Sequence, residues 1–166
     1  MLLMAHTSMG ILIASISNNP FIATPCAFLS HYVLDIIPHE SKEELFYVSP
    51  NKAERDNHIQ NKLNNRIKTS ILDLLFASVL FFLYCVLKIE LSIASFLPLC
   101  IIVFFSILPD IFTVVYLKYP TKLLASHYKL HFDIHKILPV HHINYTVAVI
   151  YQIVLSIIFF LIAVYK

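Results

Sequence analysis

The chain has 166 residues, of which 58% are hydrophobic and 13% charged, with a mean hydropathy of +0.76. A water-soluble domain carries about 25% charge and 45–50% apolar residues, so part of the apolar surface is expected to face lipid. One glycine excludes the Gly-rich loops that cradle phosphates, and a net charge of +2 without a basic stripe gives no footing for nucleic acid.

The expected fold class is all-α: a polytopic membrane helix bundle of four to five apolar helices plus amphipathic cytoplasmic helices, read as one membrane domain. Residues 2–17 form the first apolar run, roughly 24 Å of helix against a ~30 Å hydrocarbon core. The run has no basic n-region or small-residue cleavage pattern, so it reads as a retained anchor rather than a signal peptide. Asn18-Asn19-Pro20 interrupts it. Residues 20–37 then return, making an N-terminal helical hairpin that either spans or re-enters. Residues 40–69 are a polar loop, with Lys52 to Lys68 patterned as a surface helix. Residues 70–87 and 91–117 are membrane helices joined by Lys88-Ile89-Glu90; Pro98 and Pro109 are expected to kink the second, which membrane helices tolerate. A His-rich segment, 118–144, precedes the last span, 145–165. Cys26, Cys85 and Cys100 lie far apart inside apolar runs and read as small packed hydrophobes.

Five crossings put both long polar segments and the N-terminus on one side. Of the twelve Lys and Arg, six fall in 40–69 and four in 118–144, leaving Lys88 and Lys166 opposite. The positive-inside rule then predicts a cytoplasmic (inner) membrane protein with cytoplasmic loops and N-terminus and an external C-terminus.

That topology gathers His6, His31, Asp35, His39, Asp73 and Asp110 in one leaflet, on the order of 5–12 Å below one interface. A charge at such depth costs about 2.5–3.5 kcal/mol, and a divalent cation would offset the cost while keeping the carboxylates ionised. His31 and Asp35, four apart, share a helix face, and His39 follows just past Pro38. Mixed nitrogen and oxygen ligands suit zinc or a similar divalent transition metal. Without an ion the same His31/Asp35 pair is a helix-end hydrogen bond.

The second polar segment repeats the four-residue spacing at His127, His131 and His135, with Leu124 and Leu138 in line. Such a face is either an interfacial helix with histidines at headgroup level or the side that completes the site. His131 and His135 are the candidate general acid and base, ranked ahead of His141 and His142. His58 and Asp133 read as solvated. No GxSxG string or activated cysteine supplies a nucleophile for covalent acyl chemistry.

The stretch from Ala5-His6-Thr7 through Asn19-Pro20-Phe21 to Ser30-His31, Asp35 and Pro38-His39 resembles a known family. Its members are small multi-pass bacterial and archaeal membrane proteins described as membrane-bound metal-dependent hydrolases. They open with a Thr-His-type motif and a helical hairpin closed by an SHxxxDxxPH string. Leu108-Pro109-Asp110 is similar to the family's internal LPD element. The order Ala-His-Thr departs from the commoner Thr-His, and no Asp-His or His-Arg string follows Asp110. More loosely, His31-Tyr32, Asp35, Pro38 and His39 resemble a shortened form of the HYxxDxxxPxH ligand string of zinc-dependent phospholipases C.

Residues and resemblance together lead to one expectation. His6, His31, Asp35, His39 and Asp110 hold a zinc-like ion, with Asp73 in or just outside its ligand shell. A water acidified by the ion attacks a phosphoester or other ester, of a membrane lipid or lipid-like small molecule. Two rivals use the same residues: a proton or metal carrier, which needs polar groups through the membrane depth, and a non-catalytic protein whose polar residues pair helix to helix.

Overall fold

The computed structural model describes residues 3–17, 19–37, 71–88, 93–119, 121–135, 137 and 145–166, and every regular element among them is a helix. In chain order these are α1 (Leu3–Ile16), α2 (Pro20–Asp35), α3 (Ile71–Lys88), α4 (Ile93–Lys118), α5 (Lys122–Ile134) and α6 (Tyr145–Tyr165). The polar loop 40–69 with its expected surface helix lies outside the described residues, as do His39, His58, His141 and His142.

Three stretches are long and apolar enough to cross a membrane: Ile71–Lys88, Ile93–Tyr116 and Thr146–Tyr165. Their outer faces leave Phe76, Phe82, Ile93 and Ile158 exposed, which suits contact with lipid rather than water. Pro98 and Pro109 both lie inside α4, a single helix of 26 residues.

The two N-terminal helices are shorter, 14 and 16 residues, or roughly 21 and 24 Å at 1.5 Å per residue. Asn19 starts α2: its side-chain oxygen accepts from the Phe21 N–H at 2.9 Å, and Pro20 occupies the first helical position, where no N–H is needed. α1 packs against α2, α4 and α6. It buries Met4, Ala5, His6, Thr7, Ser8, Gly10, Ile11 and Leu12, as expected of a helix with no polar outer face.

Two contacts fix the position of α1. Asp73 of α3 accepts from the backbone N–H groups of Leu3 and Met4, the latter at 3.0 Å. Met1-Leu2 brings no capping side chain of its own, so the first orphan donors of α1 are satisfied from another helix. One turn past His6, Gly10 lets α1 approach α4. A Cβ at Gly10 would lie 2.7 Å from Ser106 Oγ, 3.1 Å from Ser106 Cβ and 3.2 Å from Val103 Cα. Small residues allow this kind of close helix crossing in membranes.

Apolar packing lies further along the same helices. Ile11, Leu12, Tyr84, Cys85, Leu99, Phe160 and Ala163 form one buried cluster from α1, α3, α4 and α6. Ala23 and Ala27 of α2 meet Ile102 of α4 in another.

Candidate metal centre

Four helices bring their polar residues to one place. α1 contributes His6, α2 His31 and Asp35, α4 Asp110, and α5 His131, with His135 just past its end. His6, His31 and Asp35 are fully buried or nearly so, and His131 is 5% exposed.

Asp35 is the hub. Its Oδ1 lies 3.4 Å from His6 Nε2, and its Oδ2 lies 3.0, 2.7 and 3.6 Å from Nε2 of His31, His131 and His135. Asp110 Oδ1 is 3.6 Å from His31 Nε2 and 3.9 Å from His131 Nε2. Ligand atoms around a tetrahedral ion with bonds of about 2.0–2.1 Å stand about 3.3 Å apart, and these separations bracket that edge. Two overlapping sets, His6 with His31 and Asp110, and His31 with Asp35 and His131, keep their ligand atoms within 4.8 Å of one another.

The outer hydrogen bonds decide which ring nitrogen faces inward. Pro109 has no N–H for the Phe105 carbonyl, and its ring opens that turn. The neighbouring Ser106 carbonyl accepts from His31 Nδ1–H at 2.8 Å. Thr113 donates its hydroxyl proton to the Pro109 carbonyl at 3.1 Å, so at 2.8 Å its oxygen must accept from His131 Nδ1–H. Both rings therefore point Nε2 at Asp35. A bare lone pair that close to a carboxylate oxygen is repelled, and a proton on the ring or a metal ion relieves the repulsion.

His6 sharpens the choice. Among the described residues, both its ring nitrogens and His31 Nε2 are buried without a hydrogen bond, although Asp35 oxygens stand 3.4 Å from His6 Nε2 and 3.0 Å from His31 Nε2. The His6 ring stacks on His31 with centroids 3.8 Å apart and planes 17° from parallel. Buried polar atoms are nearly always matched, and leaving one unmatched costs about 1–3 kcal/mol. A divalent cation among imidazole nitrogens and carboxylate oxygens is a partner of the right chemistry, and this donor set fits zinc or a similar transition metal.

A second layer braces α5 against α2 and α4. His127 Nε2–H donates to the Pro109 carbonyl at 3.1 Å, and its Nδ1 accepts from the Tyr32 hydroxyl at 3.2 Å. Burial pushes the His127 imidazole below its usual pKa, in keeping with a neutral ring that donates on one side and accepts on the other.

Among the expected residues, the fold brings together His6, His31, Asp35, Asp110, His131 and His135. Asp73, expected in or just outside the ligand shell, has both oxygens on the start of α1, the turn that carries His6. The more open members of the cluster are Asp110, with a side chain 34% exposed, and His135 at 21%.

Sequence reasoning met Tyr32 only as part of the His31-Tyr32 string and did not single out Ser106, Thr113 or Gly10. Thr113 stands four residues after Pro109, and a Thr bonding back to the i−4 carbonyl is a readable signal. Ser106 and Gly10 act across helix pairs and left no local trace. Compared with family models, curated proteins and solved structures, the chain matches none.

Proposed function

We propose that this chain is a membrane-bound metal-dependent hydrolase of the cytoplasmic membrane, with its N-terminus and polar segments on the cytoplasmic side. The observation that carries the reading is the buried cluster around Asp35, in which, among the described residues, both His6 ring nitrogens and His31 Nε2 make no hydrogen bond. The uneven placement of Lys and Arg supports the orientation. The SHxxxDxxPH-like string and its resemblance to membrane-bound hydrolases support hydrolysis.

When bound, a divalent cation, zinc by its donor set, supplies Lewis-acid chemistry and draws the pKa of a water toward neutrality. His6, His31, Asp35 and Asp110 hold it, joined by His39 in the sequence expectation. His6, His31 and Asp35 are buried from bulk water, which strengthens electrostatics between them, while Asp110 stays partly open. Thr113 and Asp35 grip His131 at its two nitrogens, so the ring is oriented to hold or deliver a proton at Nε2. His135, stacked on His131 at 4.9 Å and more exposed, passes that proton on. In the reaction, water gives one proton to the His131/His135 pair as its oxygen bonds to the phosphorus or carbonyl carbon. The ester bond breaks, and the departing alcohol takes a proton back from the same pair. The substrate is a phosphoester or other ester of a membrane lipid or lipid-like small molecule.

Simple helix pairing asks for one partner per buried carboxylate, whereas Asp35 has four imidazoles within 3.6 Å. A carrier asks for a polar track through the spans. Yet Ser78 Oγ, Gln152 Nε2 and Ser156 Oγ each donate to a carbonyl of their own helix.

The test is elemental analysis of detergent-purified protein, wild type beside Asp35→Ala, followed by screening of phosphoester and lipid esters. The expected result is about one zinc or other transition metal per chain, lost in the variant. Absence of metal from both proteins after attempted reloading overturns the reading.

A further inference from the structure

α5 carries three bands along its length. At 3.6 residues per turn, His127 and His131 run down the side that meets α2 and α4. Lys122, Ser126, Lys129 and Asp133 form an exposed polar band. Between these two bands lie Leu123 and Leu130, seven residues apart and 82% and 53% exposed; Ile137, past the helix end, is 57% exposed. The stripe is therefore covered by neither the site nor any other described helix.

Two observations bear on what covers it. The helices that α5 packs against also carry exposed apolar side chains. α4, long and apolar enough to cross a membrane, exposes Val114 near its end and Tyr119 just beyond it, on the way into α5, and α2 exposes Val33 two residues before Asp35. The charge beside the stripe also has a sign, because Lys122 and Lys129 outnumber Asp133 in the polar band. An amphipathic helix with an apolar stripe flanked by lysines lies in the plane of a bilayer surface, and its lysines favour anionic headgroups.

We infer that α5 is seated in the membrane surface on anionic phospholipid, with Leu123, Leu130 and Ile137 among the upper acyl chains and Lys122 and Lys129 at the headgroups. The same helix turns His131 toward Asp35, so the cluster sits at headgroup depth and meets the ester groups of lipids without drawing them into water. Only this last consequence rests on the proposed hydrolase; the seating of α5 needs no ion.

The chain has no tryptophan, so a single introduced indole is a clean depth reporter. The protein to measure is full-length Leu130→Trp in phosphatidylcholine vesicles, with and without phosphatidylglycerol and with bromines near the glycerol end or the methyl end of the chains. Bromines near the glycerol end are expected to remove most of the emission, and more completely when phosphatidylglycerol is present. Ser126→Trp, on the polar band, is expected to respond to aqueous acrylamide instead. Adding Lys122→Glu and Lys129→Glu to Leu130→Trp is expected to abolish the phosphatidylglycerol effect. Leu123→Trp repeats the reading at the most exposed position of the stripe, where little packing is at stake.

Quenching of both stripe reporters by acrylamide but not by bromolipid overturns the seating. So does protection from both quenchers, which means that a second copy or another protein covers the stripe. Metal content of the same samples separates the two ideas. Bromolipid quenching without metal removes the hydrolase and keeps the seating, and metal without quenching does the reverse.

Discussion

Asp73 on α3 accepts a hydrogen bond from the Met4 N–H at 3.0 Å, two residues ahead of His6. A carboxylate from one helix thus caps the first turn of another, and that turn carries an imidazole of the cluster. Among the described residues, the His6 ring is held by its stack on His31 and by the Asp35 carboxylate 3.4 Å from its Nε2.

The cap gives the first prediction. Asp73→Ala leaves the α1 N–H groups unpaired and should lower stability by about 1–2 kcal/mol, as loss of an N-cap does. It should also weaken metal binding, because the turn bearing His6 frays. Asp73→Asn keeps an acceptor oxygen and should recover much of both. Thermal unfolding in detergent and a cobalt(II) titration followed by visible absorption measure the two effects. A spectrum that shifts in Asp73→Ala as it does in His6→Ala marks Asp73 as a positioning residue. An unchanged cobalt affinity and spectrum sinks that role.

Gly10 supplies the second. In an open helix, replacing glycine by alanine gains about 0.5–1 kcal/mol. Here the new methyl meets Ser106 Oγ at 2.7 Å and the Val103 backbone at 3.2 Å, and the backbone contact cannot rotate away. Gly10→Ala should therefore destabilise, by about 1–3 kcal/mol in line with other overpacked sites. Because His6 lies one turn away on the same helix face, its metal content should fall as well. Stability equal to or above wild type in chemical unfolding contradicts the close crossing.

The spans and the N-terminal hairpin were legible because their signals are local: unbroken apolar runs, and Asn19-Pro20 at a helix start. The His/Asp content of the cluster was legible for a related reason, since four-residue spacing on α2 and α5 aligns the side chains on one face of each helix. From the sequence Asp73 is expected in or just outside the ligand shell, and its position one turn into α3 suits a ligand and a cap equally. That it caps α1 is a relation between segments some seventy residues apart, which no local pattern carries. The orientation of the rings was not legible at all. It rests on the Ser106 carbonyl and the Thr113 hydroxyl, and neither residue type announces a partner on another helix.

Thr113 gives the third prediction. Thr113→Val keeps the shape and removes the oxygen that accepts from His131 Nδ1–H. His131 should then lose its fixed orientation while the ion stays. The expected result is metal content near wild type with kcat on a chromogenic phosphodiester reduced up to about 100-fold. His131→Ala should lose about 10²- to 10⁴-fold, the usual range for a general acid or base. Equal activity in Thr113→Val and wild type removes His131 from proton transfer.

His6 provides a prediction whose sign depends on the ion. Among the described residues its two ring nitrogens are buried without a hydrogen bond, so in chelator-treated protein the desolvation cost of the ring is offset only by the Asp35 carboxylate 3.4 Å away. Replacing an unmatched buried polar group with an apolar one of similar size is often neutral or stabilising. His6→Leu should therefore unfold at or above the wild-type temperature when both proteins are metal-free. With zinc present the order should reverse, because an ion bound only by the folded wild type adds RT ln(1 + [L]/Kd), about 2.7 kcal/mol at a hundredfold excess over Kd. Thermal scans of the two proteins, each with chelator and with zinc, give four midpoints, and the prediction is that the two lines cross. Parallel lines, with His6→Leu lower by the same amount in both conditions, mean that His6 is a packing residue and that the ion lies elsewhere.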